Sequence, residues 1–262
     1  MELAACRGRE IEVTLASGIP LEEAVAKALA PEALDSAWLE IVDAPVDKLG
    51  YVIPALATDD QHAAWYSKAY GFASGRINHL GLIVGRYAGA HFMHGHGLWT
   101  GDGEPQAMGH VLPQETVLSE PVHVRGVGLI GAEFDRLPDA ETNFELFRVR
   151  QTEPQAADHA AVRLLPNQDF ATALDNATSQ LGWNNARVYG IGSLIGAQFE
   201  DGSMLDSLPT EFLVTRAVSG PGGQEPDIAI VGIDGGDIMS GRLSRGQNAV
   251  LVTAELVLVK IQ

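Results

Sequence analysis

The sequence predicts a fold of mixed strands and helices, built as two copies of one unit. Three observations predict it. Alternating apolar and polar residues at 10–15 are followed, from Pro20, by apolar residues at helical spacing. The same order returns at 161–165 and 169–181. The two copies also end alike: Asp102-Gly103 precedes Gly109-His110, and Asp234-Gly235 precedes Gly241-Arg242 at the same spacing. A long apolar run follows each ending, at 116–130 and 249–261.

Taken in order, residues 10–15 read as a strand and 21–29 as a helix, which Pro20 can open because the first helical position needs no N–H partner. Residues 55–77 contain an insertion of roughly seventeen residues that the second copy lacks. It holds Asp59, Asp60, His62, Trp65, Tyr66, Tyr70 and Phe72. Such a segment is either a lid over a site or a local cluster that packs a loop down. Asp102-Gly103 and Asp234-Gly235 are hairpin signals, so each reads as strand, tight turn, strand. Residues 135–158, rich in acids, Pro and Gln, read as the connection, with a strand at 144–149 that closes the first copy. In the second copy, 161–165 read as a strand, 169–181 as a helix stopped by Gly182, and 219–223 as an exposed loop. Residues 249–259 are too apolar for a free sheet edge.

Composition narrows the function. At 46% apolar residues the chain has enough to bury a core. A formal charge of -17 repels phosphate backbones and anionic lipid, so nucleic-acid binding is not expected. The single cysteine, Cys6, excludes an intrachain disulfide framework and a cysteine zinc finger. The first residues show no signal-peptide pattern, and no run approaches a membrane span of about twenty apolar residues. A cytoplasmic protein without membrane contact is expected.

The chemistry concentrates at His94-Gly95-His96 and His110. Histidines at i and i+2 of a strand share a face, and one from the next strand can close the triangle. Three imidazoles with an open position suit a catalytic zinc better than a structural one, with nickel, iron or copper as the other candidates. The alternative is three ordinary histidines with satisfied hydrogen bonds. His91 would face the other way; His79 reads as a buried histidine with one partner, with a place near the site as the alternative; His123 is placed near the site, and His159 in the solvated connection.

With this motif, the chain resembles the plants-and-prokaryotes-conserved (PPC) domain: strand, helix, strands, His-x-His, an Asp-Gly turn, Gly-His, and a long last strand. The resemblance covers nearly the whole chain as two tandem PPC-like units, 1–150 and 151–262. It implies an α+β fold, with an antiparallel-rich curved sheet packed on a helix in each unit, and a homotrimer. It carries the metal-ligand role onto His94, His96 and His110. In the second unit the matching positions are Pro226, Ile228 and Arg242, so one metal site per chain is expected, with the second unit serving packing. Plant members carry an Arg-Gly-Arg-Pro core for DNA; here Glu10 follows Arg7-Gly8-Arg9, and that role is not carried over.

A metal enzyme also needs a group that moves protons. Glu120, on the run after His110 where family members often carry a glutamate, is the candidate catalytic residue. Glu115, Asp59 and Asp60 stand behind it, while Asp102 reads better as a turn former. Arg76 and Arg86 read first as exposed charges, and as candidates to hold a substrate carboxylate second. Two functions follow: a metal-dependent enzyme on a small anionic or carbonyl-bearing molecule, or a ligand-binding or regulatory module without catalysis.

Overall fold

The computed structural model describes residues 1–153, 157–220, 225–236 and 238–261. The chain is mostly sheet, with two short α-helices among the described residues. In those residues, 17 strands hydrogen-bond into one large curved sheet. β1 is Glu2–Leu15, followed by helix α1, Leu21–Leu29, and β2, Ser36–Val52. β3 (Gly75–Tyr87), β4 (Ala90–Gly101) and β5 (Gln106–Val111) form a meander. β6 (Val122–Ile130) leads into a hairpin of β7 (Ala132–Pro138) and β8 (Glu145–Gln151). The second half runs β9 (His159–Leu164), α2 (Phe170–Gln180), β10 (Asn185–Leu194) and β11 (Glu211–Arg216). It ends with β12 (Asp227–Val231), β13 (Ile238–Arg242) and β14 (Val250–Ile261).

Pairing runs β1–β6–β2–β3–β4–β5 in the first half. In the second it runs β9–β14–β10–β11–β12–β13. β1 joins the halves, because residues 7–15 pair with β6 while residues 2–6 pair with β9. The far end of β2 reaches round to β5, with Val52 opposite His110. Gly109 permits that approach: a Cβ there would stand 2.3 Å from the Val52 carbonyl oxygen.

Both helices form for local reasons. α1 buries Leu21, Ala24, Val25 and Leu29, one face at helical spacing. α2 is capped by Asp169, whose side chain accepts from the Thr172 N–H at 3.0 Å, and Gly182 ends it at φ +67°. Each helix packs on the sheet of its own half, α1 against Leu39 and Leu82, α2 against Phe212 and Leu256. The opposite sheet faces pack on each other. Trp38, Ile83 and Phe134 meet Ile191, Leu213 and Val257 in one buried cluster, and Trp38 stacks on Tyr189. The layers are therefore helix, sheet, sheet, helix. Burying each such side chain contributes about 1.5–3 kcal/mol. Successive residues serve alternate faces: Leu82 lies with α1 and Ile83 between the sheets, Leu256 with α2 and Val257 between the sheets.

That layering corrects several expectations. β14 is no free edge, as its apolar run implies, but its cover comes from this chain itself: it lies between β9 and β10 and is buried on both faces. Residues 135–158 are not a bare connection, since β7 and β8 pair throughout their length. Their acids are used: Asp135 accepts from Arg150, and Asp139 from the fully buried Arg163 at 2.5 Å. Residues 116–130 do not form one strand. A short strand at Val117–Leu118 breaks off before β6, where Pro121 has no N–H for the ladder. Of the loop expected at 219–223, Ser219 belongs to a short strand against β10, and residues 221–223 lie outside the described residues. Asp102-Gly103 forms its turn as expected, with Gly103 at φ +78°, whereas Asp234-Gly235 lies in a 3-10 helix, Ile233–Gly235, and not in a tight hairpin turn. Among the described residues no helix is long and apolar enough to cross a membrane.

Candidate metal centre

The β4–β5 hairpin assembles the histidines. His96 lies directly opposite His110, and His94, two residues earlier, projects from the same face of β4. One ring nitrogen from each histidine lies within 4.8 Å of the others. The second half of the chain completes the site. Glu255 of β14 takes the His94 Nδ1–H at 2.5 Å, and the Phe212 carbonyl of β11 takes the His96 Nδ1–H at 2.9 Å. Glu211, the first residue of β11, places Oε1 3.9 Å from His96 Nε2 and 3.9 Å from His110 Nδ1.

These bonds fix the tautomers. A carboxylate and a carbonyl only accept, so both Nδ1 atoms carry the proton and both Nε2 atoms present lone pairs. Those Nε2 atoms face each other at 3.1 Å. Two lone pairs at that distance repel unless a cation or an extra proton lies between them. Two imidazoles bound to one zinc at about 2.0–2.1 Å in tetrahedral geometry bring their nitrogens to a similar separation. Two further buried atoms, His110 Nδ1 and Glu211 Oε2, have no hydrogen-bond partner. The donor set thus fits a metal ion: three imidazoles, a carboxylate beside them, and a carboxylate that orients one ring.

The electrostatics agree. Burial, and then the charge a protonated His94 would place beside it, push His96 well below its ordinary value; the same influences act on His110, with smaller ones from His96 and Arg136. Both rings are held neutral, the form that binds metal. Burial pushes Glu211 well above the ordinary carboxyl value, against an opposing hydrogen bond from the His110 backbone N–H.

A cavity of about 270 Å³ opens onto the histidines. Its walls include Trp65 and Tyr66 from the insertion and Phe144 from the β7–β8 loop. Tyr66 sets its ring edge-on to His110, with centroids 5.2 Å apart. His62 pins the insertion down, packing on Trp65 and Phe144 at 4.7 and 5.0 Å while Asp59 holds its Nδ1. The insertion is therefore both a packed cluster and a wall of the site.

The other predicted residues lie elsewhere. Glu120 is exposed in the bend between Val117–Leu118 and β6 and does not line the cavity; neither do Glu115, Asp59, Asp60 or Asp102. Asp102 accepts from Ser74 Oγ in its turn. Arg76 is held by Asp43 and Arg86 by Asp35, away from the cavity. His91 bonds the Leu34 carbonyl, His79 bonds Glu40 and His123 bonds Thr14. His159 is buried at the start of β9 rather than solvated, and bonds Asp158. Arg7-Gly8-Arg9 is part of β1, with Arg9 held by Glu32. Sequence reasoning missed Glu211, Glu255 and the cavity's arginine, Arg136. A signal existed for Glu255, a lone charge within a run otherwise apolar enough for burial on both faces.

No family model and no curated protein matches this sequence. Several solved structures are similar to about half of it. A plant- and prokaryote-conserved (PPC) protein from Pyrococcus horikoshii is 16% identical, with 56% of this chain and 94% of that one covered, at a TM-score of 0.40. A metal-containing protein from Archaeoglobus fulgidus is 19% identical, with 56% and 96% covered, at a TM-score of 0.41. A candidate DNA-binding protein from Ralstonia eutropha is 14% identical, with 52% and 89% covered, at a TM-score of 0.42.

Proposed function

We propose that this chain is a metal-binding protein of PPC type that acts as a metal-dependent enzyme on a small molecule. The observation that carries the reading is the pair of facing lone pairs, His94 Nε2 and His96 Nε2, with His110 beside them. Zinc fits this donor set best. When bound, the ion would supply a Lewis acid or an activated water. The chain's own residues do the rest. Glu255 fixes the His94 tautomer, Glu211 stands where it can hold or release a proton at Oε2, and the aromatic wall limits water. An adjoining cavity is what a catalytic centre needs and a structural one does not.

The same reading takes residues 1–150 and 151–262 as two copies of one unit. The repeated strand order supports it, and it assigns the histidines to one copy and the carboxylates to the other. The assembly implied is a homotrimer, which light scattering at micromolar concentration checks; a monomer would refute it.

Elemental mass spectrometry on tag-free protein tests the metal. About one zinc per chain is expected, and almost none in His94→Ala and His110→Ala. No metal in the parent after incubation with zinc would refute the reading.

A further inference from the structure

Arg136, on β7, is the one lysine or arginine among the described residues that line the cavity. Its position is built. The guanidinium carbon lies 4.7 Å from the centre of the Tyr87 ring and 4.5 Å from that of Phe92. Glu145 holds one nitrogen, Nη2, at 3.2 Å. Stacked on two rings and tied at one nitrogen, the fork is ordered before any ligand arrives, so binding it costs little side-chain entropy. It carries five N–H donors, and one carboxylate partner does not saturate them. The guanidinium lines the cavity with its positive charge. The nearby walls, Phe92, Phe144 and Phe147, are apolar and screen that charge poorly.

We infer that the cavity takes a small organic acid, with its carboxylate on the Arg136 guanidinium and an uncharged oxygen toward the histidines. A planar fork matches a planar carboxylate with two parallel hydrogen bonds. A lone arginine among aromatic rings offers too few donors for a phosphate dianion. The volume of about 270 Å³ admits a few-carbon acid and not a polymer. This inference deepens the metal reading by naming the ligand class of that cavity, but the arginine anchor itself does not require the ion.

The test uses the full chain, with and without added zinc, and Trp65 in the cavity wall as the fluorescent reporter. The probes are hydroxycarboxylates of two to five carbons and their neutral amides. At least one acid is expected to bind in the millimolar range or tighter, at least tenfold better than its amide. Arg136→Gln should abolish that preference by about tenfold or more, and Arg136→Lys should retain part of it. Arg86→Gln, at a half-buried arginine held by Asp35 and outside the cavity lining, should leave it unchanged. Equal binding of acid and amide, binding of no probe, or an unaltered preference in Arg136→Gln would overturn the inference. Because the acid–amide comparison is made in the parent protein, a variant that fails to fold does not blunt it. Metal content measured on the same samples separates the two ideas. An Arg136-dependent preference in protein that takes up no zinc after incubation with it sinks the metal reading alone, and zinc uptake without the preference sinks this one alone.

Discussion

The two halves share a strand order and divide the chemistry. In the first, β4 and β5 carry His94, His96 and His110 on one face. In the second, counting from the matching Gly-Arg, the equivalent strands carry Ile228, buried in the core, and Arg242. Arg242 lies near Asp227 at 3.6 Å and Glu200 at 3.8 Å, so the second hairpin keeps a cation where the first keeps a ligand. The second half contributes from other strands. Glu211 on β11 and Glu255 on β14 reach across the layer between the sheets to the histidines. The difference teaches that a repeated topology need not mean a repeated site. Packing the two halves face to face lets one supply lone pairs and the other the acceptors that aim them.

If the halves depend on each other, the largest effect should come from the layer between them. Trp38→Ala removes the buried ring that stacks on Tyr189 and should cost ~3–5 kcal/mol in denaturant unfolding. One cooperative transition is expected; two separate transitions would show the halves to be independent.

Next comes the link between the β7–β8 loop and β9. Asp139→Asn leaves Arg163 buried with a lost partner and should cost ~3–5 kcal/mol at neutral pH. Burial, the largest influence, pushes the Asp139 carboxyl up, yet the hydrogen bond and charge of Arg163 with two backbone N–H bonds hold it below its ordinary 3.8. A carboxyl depressed in the fold stabilises above its unfolded value, and that contribution is lost as pH falls through the folded value. The gap between parent and variant should therefore be full near neutrality and close below pH 3.8. A gap that widens on acidification would contradict the assignment.

A smaller effect sharpens the difference between the hairpins. Gly109→Ala should cost ~1–3 kcal/mol in thermal or denaturant unfolding, because the new Cβ meets the Val52 carbonyl. Gly241→Ala in the matching place meets the Phe199 side chain at 3.1 Å, a softer neighbour, and should cost less. A larger loss at Gly241 would reverse that ranking.

Much of this was legible in the sequence because it is local. His94-Gly95-His96, the turn at Asp102-Gly103 and the helix stop at Gly182 each follow from a few neighbouring residues. Glu211, Glu255 and Arg136 were not legible as site residues, since the fold of the second half and the β7–β8 hairpin bring them there from distant positions. Glu120 looked well placed on a continuous strand, but Pro121 interrupts that strand and leaves it in the exposed bend. The apolar run at 249–259 shows in the sequence that it is no free edge, but not that both of its neighbours lie in the same chain.

The central claim, that histidines of one half and carboxylates of the other form a single metal centre, is tested most directly by zinc affinity in Glu255→Gln. The affinity is measured by competition with a chelator beside the parent. Loss of the carboxylate that fixes the His94 tautomer should weaken zinc by about 10–100-fold while leaving the fold intact. Unchanged affinity in a folded Glu255→Gln protein would contradict the claim by showing that the Glu255 carboxylate takes no part in the centre.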